Sequence, residues 1–387
     1  MANIHPTVEL TRDLVRIPSE NPATSESGVG DFVYRWLASV PGLIVERHEV
    51  RPGRANVVAR LTSGSPAPAM AMLAHMDTVP VGDGWTHDPF GGQIVDGLLY
   101  GRGSCDMKAG LAVVMSVLAA AARSGRKPRR DILVCATVDE EGSHMLGGND
   151  LIARGVVDGS SLVVATEPTD LNVIVAHKGL VWMEVETQGK LAHAGNPQFG
   201  VDAVRAAAEF VTRFHRAIAE LQYPHEMLGR PTVTFSHASG GIKTNVVPEH
   251  ARLELDIRLP PPMTIAQVHA MVATCARAVE AEIPGAVVRF QQFNNERPPV
   301  EADASSEIVV AMANAVRTVT GAPGKLAGFP AYTDASVVQA RTGNRTAVVF
   351  GPGRLAQAHT VDEYVPVDHI EKAEAIMARS VDLLCFE

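Results

Sequence analysis

Ile132-Leu133-Val134-Cys135-Ala136-Thr137-Val138 runs directly into Asp139-Glu140-Glu141-Gly142. A short, nearly unbroken apolar run closed by an acidic, glycine-ended turn reads as a strand buried on both faces. The stretches around it have helical spacing, over 107–123 before it and near 148–154 after it. Further strand-like runs lie at 69–74 and 162–165. Strands alternating with helices predict an α/β layered domain with a mostly parallel sheet.

From Leu180 to about Phe290 the rhythm changes. The pattern there predicts a strand at 181–187, a long amphipathic helix at 201–221, strands at 232–236 and 251–259, a helix at 265–282 and a strand at 287–291. The order β-α-β-β-α-β is that of a ferredoxin-like α+β unit, self-contained enough to be an insertion. Past Pro298 and Pro299 the first rhythm returns, with a helix at 306–320, a strand at 346–350 and a closing helix from Asp368. The expected organisation is one discontinuous outer domain from 1–177 and 293–387, interrupted by an inserted domain at 178–292. A chain of 387 residues accommodates two or three cores.

Composition narrows the partners. With 34 basic residues against 43 acidic ones the net charge is -9, which repels phosphate backbones and anionic membrane surfaces, so neither nucleic acid nor membrane is expected. The longest apolar run, 109–122, is shorter than the roughly 18 residues of a bilayer span. The first 16 residues carry Glu9 and Asp13 at helical spacing and lack the basic start of a secretion signal, which predicts an opening helix and a cytoplasmic protein. Cys105, Cys135, Cys275 and Cys385 show no C-x-x-C pairing, so any metal must use nitrogen and oxygen ligands.

Residues of that ligand type recur just past the strand-like runs, where open α/β sheets place their sites. These are His75 and Asp77 after 69–74, Glu140 and Glu141 after 132–138, Glu167 after 162–165, and His359 beyond the 346–350 run, with Asp106 opening the helix at 107. Each has an ordinary reading alone. His75 with Asp77 can be a hydrogen-bonded pair, the acidic triplet a solvated loop, Asp106 an N-cap, Glu167 a turn residue and His359 a surface side chain. Together, two imidazoles and three carboxylates make five ligands suited to zinc, cobalt or manganese. They suffice for two ions when one carboxylate bridges.

The strings His75-Met76-Asp77-Thr78-Val79-Pro80, Gly101-Arg102-Gly103-Ser104-Cys105-Asp106-Met107-Lys108, Asp139-Glu140-Glu141-Gly142, Glu167-Pro168-Thr169 and Ala358-His359 resemble those of the M20 metallopeptidase family, in order and along nearly the whole chain. Within it, His177-Lys178-Gly179, Gly351-Pro352-Gly353 and Asp362-Glu363-Tyr364 are most similar to the acetylornithine deacetylase and succinyl-diaminopimelate desuccinylase branch. The resemblance implies a zinc-peptidase-like catalytic domain with an inserted dimerisation, or lid, domain. It implies two divalent ions per subunit, zinc first and cobalt or manganese as alternatives. Asp106 would bridge them, His75 and Glu167 completing one site and Glu141 and His359 the other.

By the same resemblance Glu140 would be the general base, moving a proton from water to the departing amine. Asp77, on the same strand face as His75, would hydrogen-bond the second imidazole nitrogen and fix its tautomer. His193, in Gly189-Lys190-Leu191-Ala192-His193-Ala194-Gly195, would reach the site of a partner subunit as an oxyanion donor, making the homodimer part of catalysis. Asn245 and Arg258 match substrate-binding polar residues, although Arg258 also reads as a strand-end salt bridge. Cys105 reads as a small buried residue, and 332–336 as a substrate-pocket loop. The implied reaction is removal of an acyl group from an N-acyl amino acid. A dipeptidase or carboxypeptidase with the same centre is the alternative, and a non-catalytic metal-binding homologue the remote one.

Overall fold

In the computed structural model, which describes residues 4–142 and 144–387, the strands Met70–His75 and Ile132–Thr137 are buried at every position. Such strands cannot alternate between core and water, and they lie in the middle of a sheet covered on both faces. The chain divides into two units. One takes the chain up to Val175 with Glu301–Ala327 and Thr333–Glu387, the other Ala176–Val300 with Gly328–Tyr332.

The first unit's sheet runs Ile44–Arg51, Arg54–Leu61, Ile132–Thr137, Met70–His75, Leu162–Ala165, Ala347–Val349 and then Val173–His177. Its four central strands, from Ile132–Thr137 to Ala347–Val349, are mutually parallel. The hairpin Ile44–Arg51 and Arg54–Leu61 adds antiparallel strands on one side, and Val349 pairs antiparallel with Ile174 on the other. The α/β class and the mostly parallel sheet are as the alternation predicts. Helix Ala109–Arg123 packs on Met70–His75 and Ile132–Thr137 and against the closing helix Val367–Cys385. By length and composition Ser104–Arg123 is apolar enough to cross a membrane, but 78% of that window is buried inside the unit, as in a core helix.

Two local expectations are corrected. The helix starts at Ala109 rather than Met107, because Asp106 (φ -123°, ψ 95°) and Met107 (φ -134°, ψ 35°) are not helical; Asp106 therefore caps nothing. The segment at 332–336 is not a loop throughout, since Thr333 caps the helix Asp334–Thr342 in a box with Ser336, and Asp334 is buried. The helix Ser27–Ala38 and the edge hairpin escaped the pattern. In the hairpin strand Ile44–Arg51 every residue is exposed or half-buried, so no run of apolar residues marks it.

In the second unit the strands Gly179–Gln188, Thr232–Gly240, His250–Leu259 and Val287–Gln292, numbered one to four, stand in the order 2-3-1-4, every neighbour antiparallel. Helices Ala203–Glu220 and Ile265–Glu282 cover one face. Alternating burial along His250–Leu259 is what a sheet with one covered face requires. Asp202 and Thr264 cap the two helices, and Phe210 stacks on Phe214 in the core between them and the sheet. The unit extends past the expected end at 292, because Phe293 N–H donates to Trp182 and Leu180 N–H to Arg297, which keeps the chain alongside the first strand.

Candidate metal centre

His75 ends its strand, and the parallel register that aligns Met70–His75 with Ile132–Thr137 and Leu162–Ala165 brings the following residues of all three to one sheet edge. The His75 Nδ1–H donates to the Asp77 backbone carbonyl at 2.8 Å. A carbonyl only accepts, so Nε2 is the free nitrogen, and it faces Asp106 Oδ1 at 3.1 Å and Glu167 Oε2 at 3.8 Å. His359 Nε2 lies 2.9 Å from Glu141 Oε1 and 3.3 Å from Asp106 Oδ2. Two donor groups result, His75 with Asp106 and Glu167, and Asp106 with Glu141 and His359. In each, the donor atoms lie within 4.8 Å of one another, and Asp106 belongs to both, presenting one oxygen to each histidine.

The electrostatics follow from that crowding. Burial alone would raise Asp106, but hydrogen bonds to His359 and His75 outweigh it and hold the carboxyl far below its ordinary range. Burial and the neighbouring Asp106 charge push Glu167 up to about 8. Bonds to Asp106 and Glu141 lift His359 to about 10. Glu140 is raised well above a normal glutamate, first by burial and then by the charge of Glu167, which places it in the field of the same cluster. The donor set of nitrogen and carboxylate oxygen, three to a group with one shared, fits two divalent cations of the zinc, cobalt or manganese kind. Cys105 joins neither group. Its buried thiol donates to the Arg354 carbonyl at 3.3 Å, and burial pushes its pKa up.

Asp77 does something other than expected. Its backbone, not its carboxylate, takes the imidazole proton; the nearer carboxylate oxygen is 3.6 Å from Nδ1. The carboxylate instead accepts the backbone N–H of Glu140 at Oδ1 and of Glu141 at Oδ2, both at 3.1 Å, and Asn21 Nδ2 at 2.9 Å. Asn21 also donates to Asp139 at 3.1 Å, and Arg54 bridges Asp139 and the buried Glu26. Asn21, Glu26 and Arg54 were missed in the sequence, where nothing local marks them.

His193, Asn245 and Arg258 belong to the second unit. There the pair Ala192–His193 lies antiparallel to Val246–Val247 and Ala194 N–H donates to the Asn245 carbonyl at 3.0 Å, so the first two are neighbours. His193 is exposed, its Nδ1 accepting the Gly195 N–H. Arg258 forks onto Asp256 of its own strand, Nε at 2.7 Å and Nη2 at 3.0 Å, while Trp182 donates to the same carboxylate. The salt-bridge reading of Arg258 is thus realised, with part of the guanidinium still exposed.

Fold and donor geometry together describe a metal-dependent hydrolase built on a peptidase-type α/β unit. Residues 71–382 match the model of Peptidase family M20/M25/M40. The chain belongs to this family. It is 30% identical to a succinyl-diaminopimelate desuccinylase of Phenylobacterium zucineum, over 96% of either chain. It is 26% identical to an acetylornithine deacetylase of Proteus mirabilis, over 98% of this chain and 96% of that one. In fold it is similar to a tripeptidase from Staphylococcus aureus, with a TM-score of 0.79 at 22% identity, covering 98% of this chain and 97% of that one.

Proposed function

We propose that the chain is an amide hydrolase that removes the acyl group from an N-acyl amino acid and depends on two divalent ions, zinc foremost. The observation that carries this reading is the sharing of Asp106 between two three-donor groups with Glu140 beside them. His75 and Glu167 would hold one ion, Glu141 and His359 the other. Ions held there would supply Lewis acidity for the scissile carbonyl and for the attacking water. Glu140 takes the proton from that water and returns it to the departing nitrogen. The Asp77 carboxylate aims the base by holding its backbone N–H.

Deacylation of an N-acyl amino acid, rather than peptide cleavage, is favoured by the two curated relatives, both of which are named for acyl removal and align over nearly the whole chain. We assign Asn245 and Arg258 to substrate, and the partner subunit's His193 to the oxyanion, in a homodimer joined through the second unit. The test is a hydrolysis screen of N-acetyl and N-succinyl amino acids against di- and tripeptides, on protein loaded with zinc, cobalt or manganese, with Glu140→Ala as control. Deacylation by the wild type, with ions retained and turnover lost in the variant, is expected. Peptide cleavage alone would transfer the assignment to a peptidase, and undiminished turnover in Glu140→Ala would remove the base.

A further inference from the structure

A carboxylate that the proposed reaction leaves unused sits behind the turn carrying Asp106. Glu363, 1% exposed, precedes the strand Tyr364–Pro366. Its Oε1 accepts the backbone N–H of Cys105 at 2.8 Å and of Asp106 at 3.0 Å. Its Oε2 accepts the N–H of Gly103 at 3.1 Å and Nη1 of Arg102 at 2.6 Å. The one remaining N–H of the turn, that of Ser104, donates to the Gly101 carbonyl at 3.0 Å. Arg102 Nη2 in turn donates to the carbonyls of Pro80 at 3.2 Å and Val81 at 3.3 Å, a few residues beyond His75 and Asp77. One buried ion pair therefore ties the Asp106 turn to the segment that leaves the His75 strand.

The turn needs such an anchor. It is a short π-helical segment broken at Asp106 and Met107, whose backbone angles are not helical, and regular helix begins only at Ala109. Without Glu363 three buried N–H groups would lose their acceptor, and converging N–H groups of this kind form a concave seat for an anion. Charge-assisted bonds from a single carboxylate fix that seat more firmly than neutral acceptors would. The position of Asp106 matters more than that of any other donor, because its two oxygens face different histidines.

We propose that Glu363 is a positioning residue for ion capture: through its grip on the backbone of Gly103, Cys105 and Asp106 it sets the Asp106 carboxylate so that both donor groups form at once. The inference rests on the two-ion reading above and adds to it a residue that touches neither ion nor substrate. It goes beyond the stability that the same buried ion pair supplies by predicting a loss of ion affinity in variants that still fold.

The test is a titration of metal-free protein with cobalt(II), followed by calorimetry and visible absorption, on the wild type, Glu363→Gln and Glu363→Ala. Glutamine keeps an oxygen for Cys105 and Asp106 but turns an amide NH2 toward Gly103 and Arg102; alanine removes both side-chain acceptors and leaves only the backbone carbonyl, which holds Gly101. Expected are two ions per wild-type chain, affinity lower by about 10-fold in Glu363→Gln and up to about 100-fold in Glu363→Ala, and an altered absorption band, with circular dichroism unchanged. Excess cobalt should restore much of the turnover of Glu363→Gln. Two ions taken up by Glu363→Ala with wild-type affinity and spectrum would overturn the proposal. So would unfolding of both variants, which would make the role one of stability alone. A wild type that takes fewer than two ions would instead overturn the reading of the site itself.

Discussion

Replacing Asp77 by asparagine separates two roles that its sequence position leaves combined. The imidazole of His75 is held by the Asp77 backbone carbonyl, which the substitution leaves in place. The carboxylate holds the N–H of Glu140 through one oxygen, and the N–H of Glu141 together with Asn21 through the other. In asparagine the better orientation keeps the oxygen on Glu141 and Asn21 and points the NH2 at the Glu140 N–H, so one partly buried donor loses its acceptor. Orphaning such a group costs about 1–3 kcal/mol. If the turn relaxes to relieve it, Glu140 leaves its aligned position. A loss of that size felt in the transition state lowers kcat by roughly 10- to 100-fold.

The assay is steady-state kinetics on the best acylated substrate, with metal content measured on the same samples. Asp77→Asn is expected to keep two ions, shift KM little and lose kcat. An unchanged kcat would refute the claim that the carboxylate aims the base. Loss of an ion with the fold intact would show that Asp77 acts on the ion donors, through Glu141 or His75, rather than on the base.

In metal-free protein the raised pKa values of Glu167 (about 8) and His359 (about 10) both mean that the folded state holds its protons more tightly than the unfolded chain. Their contribution to stability is therefore complete only in acid; that of Glu167 is lost as pH climbs from about 4.5 to about 8, and that of His359 from about 6.5 to about 10. Chelator-treated protein should melt lower at pH 9 than at pH 6.5, and added zinc, which displaces those protons, should raise Tm more at the higher pH; a zinc effect independent of pH would contradict this. Gly110→Ala would place a methyl 2.2 Å from the Thr166 carbonyl oxygen, forcing the core helix away from the residue before Glu167. A loss of about 1–3 kcal/mol in denaturant unfolding, with weaker ion binding, is expected; unchanged values in both would show that the helix and Thr166 yield freely.

The donors were legible because strand ends announce themselves. Met70–His75, Ile132–Thr137 and Leu162–Ala165 are apolar up to their last residues; His75 ends the first, and Glu140, Glu141 and Glu167 follow the other two within a few residues. The second unit was legible for the same reason, its helices and strands each carrying a clear period. What holds the donors was not. Glu363 lies 257 residues from Asp106, and Asn21 lies 56 from Asp77; no period or local motif joins such partners. Asp77 shows the limit of spacing arguments: two residues from His75 put it on the right face, yet the backbone claimed the imidazole and freed the carboxylate for the neighbouring turn.

Those supporting groups solve one electrostatic problem. Asp106, Glu140, Glu141 and Glu167 crowd around two histidines, with Asp77 and Asp139 just behind; burial and like charge raise Glu140 and Glu167, while the histidines hold Asp106 down. Behind them the fold sets Arg54 against Glu26 and Asp139, and Arg102 against Glu363, while the buried Lys108, whose Nζ donates to the Ile17 carbonyl at 2.7 Å, is pushed down to about 7 by burial. The two arginines neutralise Glu26, Asp139 and Glu363 and not the front carboxylates, which are left to the two histidines and to protons. Divalent ions can replace those protons without displacing any rear pair. Ion binding should therefore stabilise the folded state by mass action, more strongly as ion concentration exceeds the dissociation constant. A cluster designed only to be stable would have been neutralised from both sides; leaving the front open is what a site for cations requires.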